Sequence, residues 1–201
     1  MLRSIALVLC GTSLSVHALA QEANKEESTK TRSSAEIYLS NDTLQFRYLT
    51  GGDKVNAGAH SQASAGFFIS EDRDLVLDVD LLFPIDIHTE AVSLRVGPRA
   101  YAALLSEENN DVMAFSVGAE VRVPLIRSMG LAAVGHAFYA PDILTFGSAD
   151  NVTDFDARLE IQATPRLIVF GGMRWFELDL TEGAGKKTLQ DELFVGAGWQ
   201  F

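Results

Sequence analysis

The sequence contains one cysteine, Cys10, in 201 residues. It lies inside the N-terminal stretch MLRSIALVLCGTSLSVHALA, which has Arg3 near its start, an apolar run over residues 5–9 and Ala18-Leu19-Ala20 before Gln21. That is the pattern of a cleaved secretory signal peptide. The exported chain is therefore expected to carry no disulfide and no thiolate metal site. The apolar run is too short to cross a bilayer as a helix, and Leu7-Val8-Leu9 before Cys10 does not suit a lipoprotein signal. Basic residues are also scarce: 16 Lys and Arg face 27 Asp and Glu, a net charge of −11. Losing Arg3 makes the exported chain one unit more negative, which argues against a nucleic-acid partner. From residue 35 onward no apolar stretch is long enough for a transmembrane helix. The glycine-containing stretches GGMRW and GAG sit in strand patterns with no helix after them, so they are not phosphate loops. No cofactor and no metal is expected.

What is present is alternation. Residues 21–34 (QEANKEESTKTRSS) lack large apolar side chains and read as a flexible linker. Beyond them apolar residues recur with a period of two, the signature of a strand with one apolar face. Leu75, Leu77, Val79, Leu81 and Phe83 share a face against Asp78 and Asp80. Met113, Phe115, Val117, Ala119, Val121 and Val123 share another against Ser116, Gly118, Glu120 and Arg122. Phe155, Ala157, Leu159 and Ile161 oppose Asp156, Arg158 and Glu160, and Leu193, Val195, Ala197, Trp199 and Phe201 oppose Glu192, Gly196, Gly198 and Gln200.

A secreted sandwich also alternates. Two features favour a barrel. The polar faces mix charges of both signs with small residues, which suits a narrow interior. Polar connections near residues 70–74, 106–111, 141–153 and 181–191 alternate with shorter or proline-containing ones near 84–90, 126–130 and 164–165. Long loops on one side and short turns on the other mark an outer-membrane barrel, the short turns facing the periplasm. The fold class expected is all-β: a small closed antiparallel transmembrane β-barrel over residues 35–201. An even strand number is required. A tight hairpin at Asn41-Asp42 gives ten strands, and eight is the alternative. The chain ends on LFVGAGWQF, and such an end is expected to close the barrel against the first strand, leaving no edge in lipid. Phe83, Tyr139, Trp175, Trp199 and Phe201 are the expected aromatic girdles.

These residues resemble a family. The C-terminal aromatic after alternating apolar residues resembles the signal read by the outer-membrane assembly machinery. SVGAEVRVPL, GHAFYAPDILTFGSADNVTDFDARLEIQATPRLIVFGGMRWFEL and ELFVGAGWQF resemble the YfaZ family of bacterial outer-membrane proteins, FYAPD at residues 138–142 being the most specific piece. The resemblance spans residues 35–201 and departs from the pattern in the charged linker and in residues 74–83. It implies a barrel in the bacterial outer membrane. It implies no activity and supplies no catalytic or binding residue.

The interior set is the main candidate for function: Asp78, Asp80, Arg95, Arg99, Glu120, Arg122, Asp156, Arg158, Glu160, Arg174 and Glu192. Buried charges must be paired, and barrels of about eight strands are filled by their own side chains. A neutralised plug with a structural envelope role is the leading expectation, and a narrow solute or ion path the second. A third is an outer-membrane enzyme built on His136 with Ser116 and Glu120, which no motif supports. No enzymatic activity is expected. The expected partners are outer-membrane lipids and lipopolysaccharide, and the barrel assembly machinery through the last strand. The acidic rim, which includes Glu71, Asp72, Asp74, Asp142, Asp150, Asp154 and Asp191, reads first as a solvated surface; divalent cations bridging its acids to lipopolysaccharide are the sharper alternative, and no calcium-loop spacing supports them.

Overall fold

A computed structural model describes residues 33–58, 60–87, 91–106, 111–181 and 185–201. The expected signal peptide and residues 21–32 of the expected linker lie outside the described residues.

Ten strands close into a ring in chain order: β1 (Ser34–Leu39), β2 (Thr43–Gly51), β3 (Gln62–Ser70), β4 (Leu75–Ile85), β5 (Ser93–Leu104), β6 (Val112–Ile126), β7 (Leu131–Ala140), β9 (Ala149–Gln162), β10 (Leu167–Leu180) and β11 (Gly185–Gln200). Every pairing is antiparallel, and β11 returns to β1 in a register from Ser34 opposite Gln200 to Leu39 opposite Val195. Ser34, assigned to the linker by composition, begins β1. The backbone N–H of Phe201 donates to the Ser33 carbonyl at 2.9 Å, so the last residue is tied down.

The short strand β8 (Thr145–Gly147) lies outside the ring. Pro141, which has no N–H to give, follows the end of β7. Beyond that point β6 loses its β7 partner, and β8 folds back to pair Thr145 to Gly147 with Ala114 to Val112. Gly147 is in the left-handed region at φ +97°, and a Cβ there would come within 2.1 Å of the Asp111 carbonyl oxygen. Only glycine makes that turn.

The molecule is inside-out for water. Val117, Leu193 and Val195 are more than 60% exposed on the outer face, whereas Asp80, Arg99, Asp154 and Glu160 are buried. Large side chains of this kind cover the outer face, far more apolar surface than a water-soluble monomer shows. Phe83, Tyr139, Trp175, Trp199 and Phe201 all stand on that outer face. Among the described residues no helix is long and apolar enough to cross a membrane. Strands whose backbone groups are paired in a closed ring can do so.

The expected asymmetry of loop length is absent. Connections at the end carrying both termini span residues 52–61, 86–92, 127–130 and 163–166, and those at the far end span 40–42, 71–74, 105–111, 141–148 and 181–184. Polar residues 149–153 and 185–191, expected in loops, continue β9 and β11, because the ladder they share with β10 runs on past the apolar band.

Inward glycines make room for aromatic neighbours. A Cβ on Gly196 would sit 2.2 Å from the Phe170 ring directly across the ladder, and one on Gly118 would sit 2.4 Å from Phe138. Gly196→Val is expected to prevent closure of β10 on β11. The check is heat-modifiable gel migration after refolding: the variant should run only as the unfolded band, and normal folding would contradict the packing described.

Candidate functional site: the filled bore

Strand register assembles the interior charges. Arg95, Glu120, His136, Asp156 and Arg174 lie directly opposite one another across β5, β6, β7, β9 and β10, so charge alternates around the wall. Arg95 pairs with Glu120, whose other oxygen lies 2.9 Å from His136 Nε2, while His136 Nδ1 lies 3.0 Å from Asp156. A neutral imidazole has one donor and one acceptor. Two flanking carboxylates are both satisfied only by the imidazolium, which donates twice.

Above this row lies a second group. Arg47 reaches Asp78 and Asp80, each at 2.8 Å, and Arg99 reaches Asp80 at 2.8 Å and Asp154 at 3.1 Å. Arg174 donates to Asp154 at 2.9 Å and to the Gln45 amide oxygen at 2.9 Å, and the Tyr101 hydroxyl donates to Asp154 at 2.8 Å. Gly66 stands between Arg47 and Asp78 in register, and a Cβ there would come within 2.9 Å of the Asp78 carboxylate. Its missing side chain lets the guanidinium span the gap.

A third group joins Arg158 to Glu160 at 2.8 Å and to Glu36 at 3.3 Å, with Arg122 on Glu160 at 2.5 Å. The Tyr38 hydroxyl donates to Glu36 at 2.6 Å and accepts from Arg158. Arg99, Arg158 and Arg174 also stack over the rings of Phe138, Phe170 and Phe176, at 3.7, 4.7 and 4.9 Å. Arginine pairs with carboxylates and stacks on rings at once because its planar group is weakly hydrated.

The balance is even. The carboxylates of Glu36, Asp78, Asp80, Glu120, Asp154, Asp156 and Glu160 face the cations of Arg47, Arg95, Arg99, Arg122, Arg158, Arg174 and His136. Only Arg95 and Arg122 are appreciably open, with 26% and 40% of their side chains exposed toward the terminal end. At the far end the bore closes over an apolar layer that includes Phe68, Val76, Val112, Val152, Phe176 and Leu178, all at most 2% exposed.

Glu192 was expected in the interior set and does not join it. It takes hydrogen bonds from the Ser40 hydroxyl and the Asp42 backbone N–H, because the β1–β2 hairpin ends low and leaves this part of β11 at the rim. Asp154, expected at the rim, is instead an anchor of the buried network. Glu36, Tyr38, Gln45 and Arg47 were absent from the expected interior set. Alternation of Ile37 and Leu39 with Glu36 and Tyr38, and of Leu44, Phe46 and Tyr48 with Gln45 and Arg47, was the available signal.

No hydrolase set forms around His136. Both of its ring nitrogens face carboxylates, and the Ser116 hydroxyl donates to the Arg99 carbonyl at 3.0 Å. Ser116 is four residues from Glu120 along one strand, about 13 Å away. Among the described residues no group of three or more His, Cys, Asp or Glu side chains could hold a metal ion.

The profile described as YfaZ precursor matches residues 7–201. No curated protein matches the chain. Among solved structures, a bacterial polysaccharide outer membrane secretin aligns over 82% of this chain and 57% of its own, at 15% identity and a TM-score of 0.47. A KdgM porin in complex with disordered oligogalacturonate aligns over 85% of this chain and 99% of its own, at 9% identity and a TM-score of 0.42. The Acinetobacter baumannii outer membrane protein Omp33 aligns over 86% and 99%, at 13% identity and a TM-score of 0.37.

Asp154→Ala is expected to leave the buried Arg174 without its carboxylate partner and Arg99 with Asp80 as its close one, and to cost about 3–5 kcal/mol of stability. Glu192→Gln, at the rim, should cost under about 1 kcal/mol. Urea unfolding of both variants in lipid vesicles measures the difference, and equal losses would contradict the placement of the two acids.

Proposed function

The chain belongs to the YfaZ family, and from that membership and the filled bore we propose that it serves the outer membrane as a closed structural barrel rather than as a pore or an enzyme. The carrying observation is the pairing of an evenly balanced ion network with an apolar layer above it. A void at the centre of the network, lined by Arg47, Arg99 and Arg174 among others, measures about 10 Å³, which is room for about one water molecule. A solute would have to break several buried ion pairs and then part the layer around Phe176.

In this reading the termini face the periplasm, and the assembly machinery takes hold of the chain through β11, whose outward Leu193, Val195, Trp199 and terminal Phe201 are exposed. The outer face meets lipid acyl chains, and the acidic rim meets the lipopolysaccharide head groups.

Planar-bilayer recording of the refolded mature chain tests the proposal. The expected result is no stable unit conductance across a salt and voltage series, with heat-modifiable migration proving that the same sample is folded. A reproducible unit conductance, altered by neutralising Arg95 or Arg122, would overturn it in favour of a narrow channel.

A further inference from the structure

The wall is irregular where the stretch FYAPD, residues 138–142, ends β7. Between the rung of Val117 with Tyr139 and the rung of Ala114 with Thr145, β6 advances three residues and the chain opposite advances six. The surplus cannot stay in the ladder. It leaves as the 3-10 turn Asp142–Leu144, after which β8 pairs with β6 where β7 no longer does. Residues directly opposite one another share a face of a sheet. Phe146 stands opposite Met113, each 55% exposed on the outer face, and its ring meets Phe115 edge-on at 6.4 Å. Ile143, in the turn itself, is 82% exposed, more than any other large apolar side chain among the described residues. We propose that this turn, with Phe146, is a wedge that docks into the bilayer itself, in the interfacial layer where acyl chains meet head groups.

Two independent observations commit this surface to lipid. The first is continuity. Phe146 extends the row of Met113, Phe115 and Val117 on the lipid-facing side of β6, and Tyr139, opposite Val117, is the girdle residue that the turn follows. Aromatic side chains of that kind mark the level of the head groups. The second is the backbone of the turn. Pro141 has no N–H to leave unpaired. Its carbonyl accepts from the Leu144 N–H at 2.8 Å and from the Thr145 hydroxyl at 3.1 Å, and the Thr145 N–H donates to the Asp142 carbonyl. Irregular backbone beside lipid must satisfy its polar groups internally, and a loop in water has no such need. The same closure leaves little for a partner chain to pair with by strand addition.

Composition sets the depth. Asp142, next to Ile143, is exposed, and a carboxylate is costly in hydrocarbon. The wedge therefore stops at the interface, its apolar side chains reaching the acyl boundary and its charge staying with the head groups, as interfacial elements do. It fixes how high this side of the wall rides in the membrane. The inference needs only a barrel that spans a bilayer, and it holds whether or not the bore conducts.

Site-directed labelling tests it. A chain beginning at Gln21 carries no cysteine, so Ile143→Cys and, separately, Phe146→Cys each accept a single nitrobenzoxadiazole label. Each labelled chain is refolded into phosphatidylcholine vesicles, and heat-modifiable gel migration shows that it is folded. The expected result at both positions is blue-shifted emission, quenched several-fold more by phosphatidylcholine spin-labelled near the head of its acyl chain than by aqueous iodide. Asp72→Cys, on the exposed β3–β4 tip, should show the reverse order. Iodide quenching at position 143 as strong as at position 72 would overturn the proposal in favour of a solvated loop. Protection of position 143 from both quenchers would overturn it as well, and cross-linking between the thiols of two chains would then identify a second copy as the occupant.

Discussion

Inside a membrane barrel a charge cannot fall back on bulk water, so it must be neutralised by a neighbour or not be there at all. Everything distinctive about this bore follows from that constraint. Neighbouring strands place Arg95, Glu120, His136 and Asp156 in one row, and the ladder register alone brings opposite signs together. A slip of one residue in any of those strands would turn its charges toward lipid. The network therefore specifies the register as well as filling the interior.

The same constraint orders the bore along its axis. Near the terminal end Arg95 and Arg122 remain open to solvent and need only one partner each. In the middle, Arg47, Arg99, Arg158 and Arg174 are buried and take two or more. Toward the far end charge gives way to Phe68, Phe176 and Leu178, which close the bore as a hydrophobic core would, the buried Asp74 paired with Lys187 being the exception. Arg174 and Phe176 bridge the two regimes, since the guanidinium lies over the ring. Polar specificity and apolar packing thus meet in single contacts.

Much of this was legible in alternation. The faces of β4, β5, β6, β9 and β11, the hairpin at Asn41-Asp42 and the closure by the last strand follow from a period of two and an even strand number. The apolar layer was not legible, because at the far ends of the strands both faces are apolar. Phe67 points out and Phe68 in, and Leu75 and Leu77 flank the inward Val76. Periodicity carries no inside or outside there. Glu192 and Asp154 exchanged places for a related reason: height in the barrel depends on strand length, and polar composition made a long strand end look like a loop. Partners across the bore, such as Arg99 with Asp154 or Arg158 with Glu36, depend on the curvature of the closed ring, which one strand at a time does not encode.

The seam between the first and last strands has a kinetic consequence. Ser34–Leu39 meets β11 over a far shorter ladder than the one joining β11 to β10. It also joins residues separated by nearly the whole chain, so its formation closes the longest loop over a ladder as short as any in the ring. Such a contact zips last and parts first. The β1–β11 seam is the door of this barrel, the line along which a nascent sheet becomes a cylinder and a stressed cylinder reverts to a sheet.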